Sequence, residues 1–413
     1  MRSSPRVLIV LLACPGLALA GNWPAWRGPA GDGRCAEKDL PLRWGTAENV
    51  RWKVPLPDAG NSTPVVWRDR IFLTQATKGG TRRALLCLDR AGGKELWKAE
   101  VAYREKEPTH GTNPYCSASP VTDGERVVVS HGSAGLFCYD LAGKELWRKD
   151  VGKMTHVWGN ASSPVLYRDL AILWVGPGER QVLLAVDKRS GKTAWEHREP
   201  GGSDGITNKD WVGSWSTPVV TRVGGRDELI LSVPQKVKGF DPRTGKELWA
   251  CAGLGKLVYA SPVCSPDGVV VAMSGYGGPA LAVRAGGNGD VTRTHRLWVH
   301  AGNPQRVGSP VLVGGHAYLI NEPGQAQRIE LLTGKDLWKK ERTGGSPWGS
   351  LVAAGDRLYI TTQDGETLVL AAGPAFKVLA RNRLGETTRA SVAVSDGEIF
   401  IRTYKHLWCI GKK

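Results

Sequence analysis

Three stretches of this chain gather the residue types that recognise a ligand. The first holds His110, Asn113 and Tyr115, and the second His156, Trp158 and Asn160. The third supplies Asp204, Asn208, Lys209, Asp210, Trp211 and Trp215. Aromatic faces interleaved with amides and a few charges suit a sugar, a peptide or a small polar ligand. The competing reading is that Trp158, Trp211 and Trp215 only pack long loops down. Covalent and metal chemistry find less support. No CxxC pair and no metal-ligand spacing of His, Cys and carboxylates occurs. Gly191-Lys192-Thr193 looks like the end of a phosphate-binding loop. That loop needs a glycine where Val186 stands and a helix afterwards, and here a strand pattern follows. The residues point to binding, with no catalytic residue nominated.

A repeat positions these stretches. Asp89, Gly93-Lys94 and Trp97 return as Asp140, Gly143-Lys144 and Trp147, then as Asp187, Gly191-Lys192 and Trp195. Asp241, Gly245-Lys246 and Trp249 follow, then Glu330, Gly334-Lys335 and Trp338. Each copy reads as a strand end, a tight turn and a new strand. The acid bonds turn amides, the glycine takes the left-handed position, and the next strand runs into Trp. A second mark opens each repeat, a small residue and often proline before an apolar strand. It stands at Thr63-Pro64, Ser119-Pro120, Ser163-Pro164, Thr217-Pro218, Ser261-Pro262 and Ser309-Pro310, and in degenerate form at Ser350 and Ser391. With a second strand after each mark, the repeat holds four short antiparallel strands. Eight such repeats predict an all-β, eight-bladed β-propeller. The fourth strands carry Trp52, Trp97, Trp147, Trp195, Trp249, Trp298, Trp338 and, degenerate, Leu379. One ligand can use few of these tryptophans, so they are expected to dock neighbouring blades.

The chain starts with a spare fourth strand (residues 48–56) and ends with a third strand (residues 405–410). Pairing them closes the ring and removes an open edge. Residues 21–47 carry no repeat and are expected to lie as an extension against the first blades, with the propeller spanning 48–413. Loop lengths single out one face. From the fourth-strand mark to the next opening mark the usual step is 11 or 12 residues, as from Trp52 to Thr63. From Trp97 to Ser119, Trp147 to Ser163 and Trp195 to Thr217 it is 22, 16 and 22. These consecutive long connections leave the same face and should form one raised wall, which carries the candidate binding residues.

Composition adds context. The formal charge is +16 and tryptophan, at 17, is abundant. A basic surface attracts polyanions, although solvated charge alone also accounts for it. Arg2 and Arg6, an apolar core from Val7 to Leu19 and Ala18-Leu19-Ala20 read as a signal peptide over residues 1–20. Leu11-Leu12-Ala13-Cys14 offers a lipid-anchored alternative. Cys87, Cys138 and Cys409 share one repeat position, which wants a small buried side chain and places the three too far apart to bridge.

The Asp-x-x-x-Gly-Lys-x-x-Trp copies resemble the quinoprotein, or PQQ-like, repeat family, over roughly residues 48–413. That family includes eight-bladed quinoprotein dehydrogenases and a non-enzymatic, BamB-like branch of the outer-membrane protein assembly machinery. The resemblance implies an eight-bladed propeller with tryptophan-docked blades. The dehydrogenases also carry adjacent cysteines, an Asp base and a calcium set, and this chain has no adjacent cysteines. The expectation is an exported, periplasmic or envelope-associated, monomeric binding scaffold. It needs no cofactor and meets a protein or cell-envelope partner, with no nucleic acid and any membrane association made through a partner or lipid anchor. The rivals are a dehydrogenase using PQQ with calcium and a carbohydrate- or polyanion-binding module.

Overall fold

The computed structural model describes residues 21–207, 210–302, 307–339 and 341–412. The signal-peptide reading of residues 1–20, with Cys14, and the candidates Asn208 and Lys209 lie outside the described residues.

The second strands are apolar on both faces, as Val127-Val128-Val129 shows, so each sheet must be covered on two sides. Eight sheets arranged around an axis supply that cover. Blade 1 runs Val65–Trp67, Arg70–Thr77, Arg82–Asp89 and Glu95–Ala102, each strand antiparallel to the one before. Blade 2 opens at Val121–Thr122, blade 3 at Val165–Tyr167, blade 4 at Val219–Val223 and blade 5 at Val263–Cys264. Blades 6, 7 and 8 open at Val311–Val313, Val352–Ala354 and Ala393–Ser395. Contacts between opening strands of neighbouring blades place these strands at the axis. Apolar clusters sit between blades: Phe72, Leu85 and Cys87 of blade 1 pack with Val127, Val129 and Phe137 of blade 2. The ring closes as expected, with Val50–Pro55 pairing antiparallel to His406–Ile410 and Trp52 opposite Cys409.

The opening mark of each repeat has a structural role that its chemistry explains. The Ser119 hydroxyl accepts the Thr63 amide, Ser163 accepts Ser119, Thr217 accepts Ser163, and Ser261 accepts Thr217. Ser309 accepts Ser261, Ser350 accepts Ser309, and Ser391 accepts Ser350. A hydroxyl is needed at each place because each opening amide lies buried at the axis without a strand partner. The link from Ser391 back to Thr63 is missing among the described residues, and Thr63 Oγ1 is buried without a protein partner. That break falls at the joint where the chain ends meet.

The other mark docks blades. Indole N–H groups of Trp52, Trp97, Trp147 and Trp195 donate to carbonyls of Arg90, Leu141, Lys188 and Pro242 in the next blade's turn, at 2.8, 3.0, 2.9 and 3.2 Å. Trp298 and Trp338 donate likewise to Leu331 and Pro374. The glycine beneath must be glycine twice over. Gly143 holds φ +89°, and a Cβ there would meet the Trp97 ring at 2.7 Å. Trp249 departs from the docking expectation: its ring lies on Gly239 of its own blade and its N–H donates to the buried Glu228 carboxylate. The neighbouring blade has no Gly-Lys turn to receive it. In its place Gly289–Asp290 adds a parallel strand beside Trp249. Trp338 lies ahead of its blade's fourth strand, Glu341–Arg342, because the chain kinks at Lys339 (φ +52°).

Cys87, Cys138 and Cys409 face Trp97, Trp147 and Trp52 across the strand pair, all fully buried. Burial pushes the Cys87 and Cys138 thiols up to about 12.

Residues 21–47 travel further than expected. They start on the first blades, where Trp23 bridges Val66 and the Pro24 carbonyl accepts the Thr122 amide. They then cross the end of the ring away from the long connections. The buried Arg27 guanidinium donates to the Asp32, Ser309 and Pro310 carbonyls. Arg34–Cys35 pairs parallel with blade 7, and Glu37 accepts the Asp396 and Gly397 amides of blade 8. Burial lowers the Arg27 pKa to about 10, so the ion persists at neutral pH. The correction has a physical reason: the axis end presents unpaired carbonyls, and one guanidinium satisfies several of them.

Candidate functional site

Because residues 21–47 close one end, the axial channel is a funnel open at the long-loop face, with a cavity of about 440 Å3. Trp26 lines its floor, and the hydroxyl ring forms its throat through Ser163, Thr217, Ser350 and Ser391. The mouth is built from loops.

The three long connections do meet. The Asn113 amide donates to the Trp158 and Asn160 carbonyls at 2.6 and 3.2 Å, joining the first loop to the second. Trp215 Nε1 donates to the Gly159 carbonyl at 2.8 Å, and the Val157 amide bonds the Asp204 carbonyl, joining the second to the third. Beneath them lies a buried ion pair. Arg83 Nη1 donates to Glu107 Oε2 at 2.8 Å, with side-chain exposures of 2% and 1%. The Arg83 guanidinium lies between the Tyr103 and Tyr115 rings, at 4.7 and 4.8 Å from their centroids. Glu107 also accepts the Ser133 amide and the Asn160 side chain.

Of the ten described candidate residues, four line the funnel: His110, Asn113, Trp158 and Trp215. The others serve behind it. Tyr115 bonds the Glu107 carbonyl and covers Gly80. Asn160 holds Glu107, and Asp210 pairs with Lys256 at 2.7 Å. Trp211 is 45% exposed and packs edge-on against Trp158 at 4.8 Å. His156 is buried edge-on to Trp215 at 4.8 Å, its Nδ1 accepting the Trp158 amide. Burial, opposed in part by the Asp204 charge, lowers its pKa to about 4, so it is neutral at pH 7. Asp204 caps the turn at Ile206 and Thr207.

The structure adds residues that loop length could not flag. Tyr259 and Tyr276 extend the aromatic wall, with Trp158–Tyr276 and Trp215–Tyr259 centroids at 5.5 and 5.0 Å. Opposite stand Trp348, Gln363 and Arg389. The Arg389 guanidinium sits over Trp348 and Tyr404, at 5.3 and 5.5 Å, and donates to Gln363 Oε1 and the Tyr404 hydroxyl. These side chains come from connections of ordinary length. A usable signal was present in Trp26 and Trp348, which stand off the repeat positions as Trp158 and Trp215 do.

The hydroxyls of Ser163, Thr217, Ser350 and Ser391 already accept backbone amides, and His110 Nδ1 pairs with Thr112 two residues on. The lining does not fit PQQ with calcium. Calcium takes 6–8 oxygen ligands, usually several carboxylates, and among the described residues Glu322 is the one carboxylate lining the funnel and no cysteine lines it. Among the described residues, His197, Glu199 and Glu247 could hold an ion elsewhere. The Lys238 ammonium already bonds both of those carboxylates, at 2.7 and 2.9 Å.

No curated protein matches the chain. Among solved structures, BamB from Moraxella catarrhalis is similar with a TM-score of 0.61 and 14% identity, covering 87% of this chain and 96% of that one. A europium-containing methanol dehydrogenase reaches a TM-score of 0.71 at 12% identity, covering 94% and 90%. Quinohemoprotein alcohol dehydrogenase from Comamonas testosteroni gives 0.67 at 13%, covering 96% and 82%. Identities this low speak for the fold alone. Residues 81–340 match the family model described as outer membrane protein assembly factor BamB. Repeat chemistry, ring architecture and that match agree: the chain belongs to the BamB family of PQQ-like β-propellers.

Proposed function

We propose that this chain is an exported, non-enzymatic propeller that acts as a binding and assembly scaffold at the bacterial cell envelope. The observation that carries the reading is the funnel: closed at its floor by Trp26, walled by aromatic rings, and with its throat hydroxyls committed to backbone amides. Export rests on the basic, apolar and small-residue pattern of residues 1–20. No helix among the described residues is long and apolar enough to cross a membrane, so attachment would use a partner or a lipid on Cys14. The partner is a protein or an envelope polymer, bound by a monomer without a cofactor.

The rival is a quinone-dependent oxidoreductase, drawn from the similarity to dehydrogenases. A shared fold does not carry their chemistry, and the funnel lining argues against it. The deciding experiment incubates the purified chain with PQQ and calcium and follows dye reduction with alcohols and sugars. No turnover is expected. Calcium-dependent dye reduction at enzyme-like rates would overturn the scaffold reading. In parallel, Trp158→Ala and Trp348→Ala should abolish crosslinking to envelope partners while leaving the melting temperature within a few degrees of the native chain.

A further inference from the structure

We infer that the axial funnel binds the end of an acidic carbohydrate chain, with Arg389 holding the sugar carboxylate and the Trp158–Tyr276 surface stacking the ring. This names the ligand class of the binding face proposed above and rests on that reading.

The aromatic residues decide the ligand's shape. Five centroid pairs linking Trp158, Trp215, Tyr259 and Tyr276 fall between 5.0 and 6.1 Å. An aromatic cage for a quaternary ammonium must hold opposing rings apart, since the cation sits up to about 6 Å from each centroid. Here the rings touch one another and leave no such gap. They form a faceted platform, the rings tilted 36–75° to one another, and a single exposed ring face suits the flat C–H face of a pyranose. Trp215 has its N–H committed to Gly159, so it offers the platform its ring alone.

Arg389 decides the charge. Its Nε and Nη1 are engaged by Gln363 and Tyr404, while Nη2 has no protein partner and the residue makes no ion pair among the described residues. Trp348 and Tyr404 hold the guanidinium plane in place. A pre-set, half-buried guanidinium edge is a carboxylate site. A polyphosphate backbone calls for several cations, and among the described residues Arg389 is the one arginine or lysine lining the funnel, with Glu322 its one carboxylate. A peptide carboxylate is usually captured by a nest of backbone amides, and the throat amides are consumed by the hydroxyl ring. The Asn61 side-chain oxygen, buried without a protein partner, remains to accept a sugar hydroxyl, in a cavity of about 440 Å3 that admits a chain end and, with Trp26 below, no through-strand.

The test applies the full-length chain to a glycan array bearing alginate, polygalacturonate and hyaluronate oligomers beside neutral galacto- and gluco-oligosaccharides. A peptide ending in phenylalanine is included, and hits are titrated by calorimetry. Arg389→Gln and Tyr276→Ala are compared with the native chain, Tyr276 being 51% exposed and safe for folding. At least one uronate oligomer should bind, weakening as salt rises. Arg389→Gln should weaken it about 10- to 100-fold, the span of a charge-assisted hydrogen bond, and leave any neutral sugar within about threefold. Tyr276→Ala should weaken both. Binding of neutral sugars or the peptide alone, no binding at all, or indifference to Arg389→Gln overturns the inference. Each of those outcomes leaves the scaffold reading standing if envelope crosslinking still depends on Trp158; quinone-dependent turnover removes both.

Discussion

The Arg83–Glu107 pair under the long loops should be the most sensitive polar contact of the binding face. Glu107→Gln keeps the side-chain shape and removes the charge. Oε2 accepts Arg83 and the Ser133 amide, and Oε1 accepts Asn160. The best orientation of the new amide keeps its oxygen on the first two donors. Its NH2 then faces the Asn160 Nδ2, another donor. One charge-assisted bond is lost, worth about 1.5–3 kcal/mol, and the Arg83 ion stays buried without its counter-charge. The expected cost is about 3 kcal/mol, at the low end of the roughly 3–5 kcal/mol for breaking a buried pair. Urea unfolding would measure it for Glu107→Gln, Arg83→Met and the Arg83→Met/Glu107→Leu double variant. The double variant should cost less than either single change, since it leaves no orphaned charge. The reasoning fails if the single variant loses less than about 1 kcal/mol, or if the double variant costs the sum of the singles. Because Asn160 is anchored, among the described residues, through Glu107 and the Asn113 bond, Glu107→Gln should also loosen the second loop, read as faster amide exchange at residues 156–160.

Acid should weaken the same wall. His156 and His131 have folded pKa values of about 4 and 3, lowered first by burial, with the Arg83 charge adding to the effect on His131. Their contribution is fully present above the unfolded value of about 6.5 and is lost as pH falls from there through about 4, by up to about 1.4 kcal/mol per pH unit for each histidine. Unfolding titrations should show that slope shrink in His156→Asn; an unchanged slope would mean the imidazole is solvated. Trp147→Ala should cost about 3–5 kcal/mol, the range for truncating a buried aromatic, and a loss below about 1 kcal/mol in urea unfolding would remove it from blade docking. Deleting residues 21–56 strips the strand Val50–Pro55 and the floor together. Light scattering should then report aggregation, and a monomer with an unchanged melting temperature would refute the closure.

Much of the architecture was legible because repeats turn one local rule into eight copies. Asp187, Gly191 and Trp195 announce a turn, a left-handed residue and a buried ring, and their recurrence every 40 to 54 residues leaves a propeller as the arrangement that covers every sheet. Closure was equally plain, since a spare fourth strand at Trp52 and a missing one after Cys409 are local facts about order. Loop length also marked Asn113, Trp158 and Trp215, because an insertion beyond the connection's need is visible in the chain itself.

What only tertiary structure decided is which of these side chains face a common space. Asn160, Tyr115 and His156 have the same chemistry in sequence as their neighbours at the funnel, yet they point to an ion pair, a glycine and a tryptophan edge. Trp348 and Arg389 lie across the axis from Trp158, more than 180 residues away along the chain. Residues 21–47 carry no period, so nothing local tells them to cross the ring; the unpaired carbonyls at Ser309 and Pro310 exist only once the ring is formed. The same holds for Trp249, written like its fellows, whose ring turns inward because the next blade lacks the turn to receive it and Glu228 offers an acceptor within its own. Periodicity specifies what each repeat does for its neighbours, and the axial funnel belongs to no single repeat.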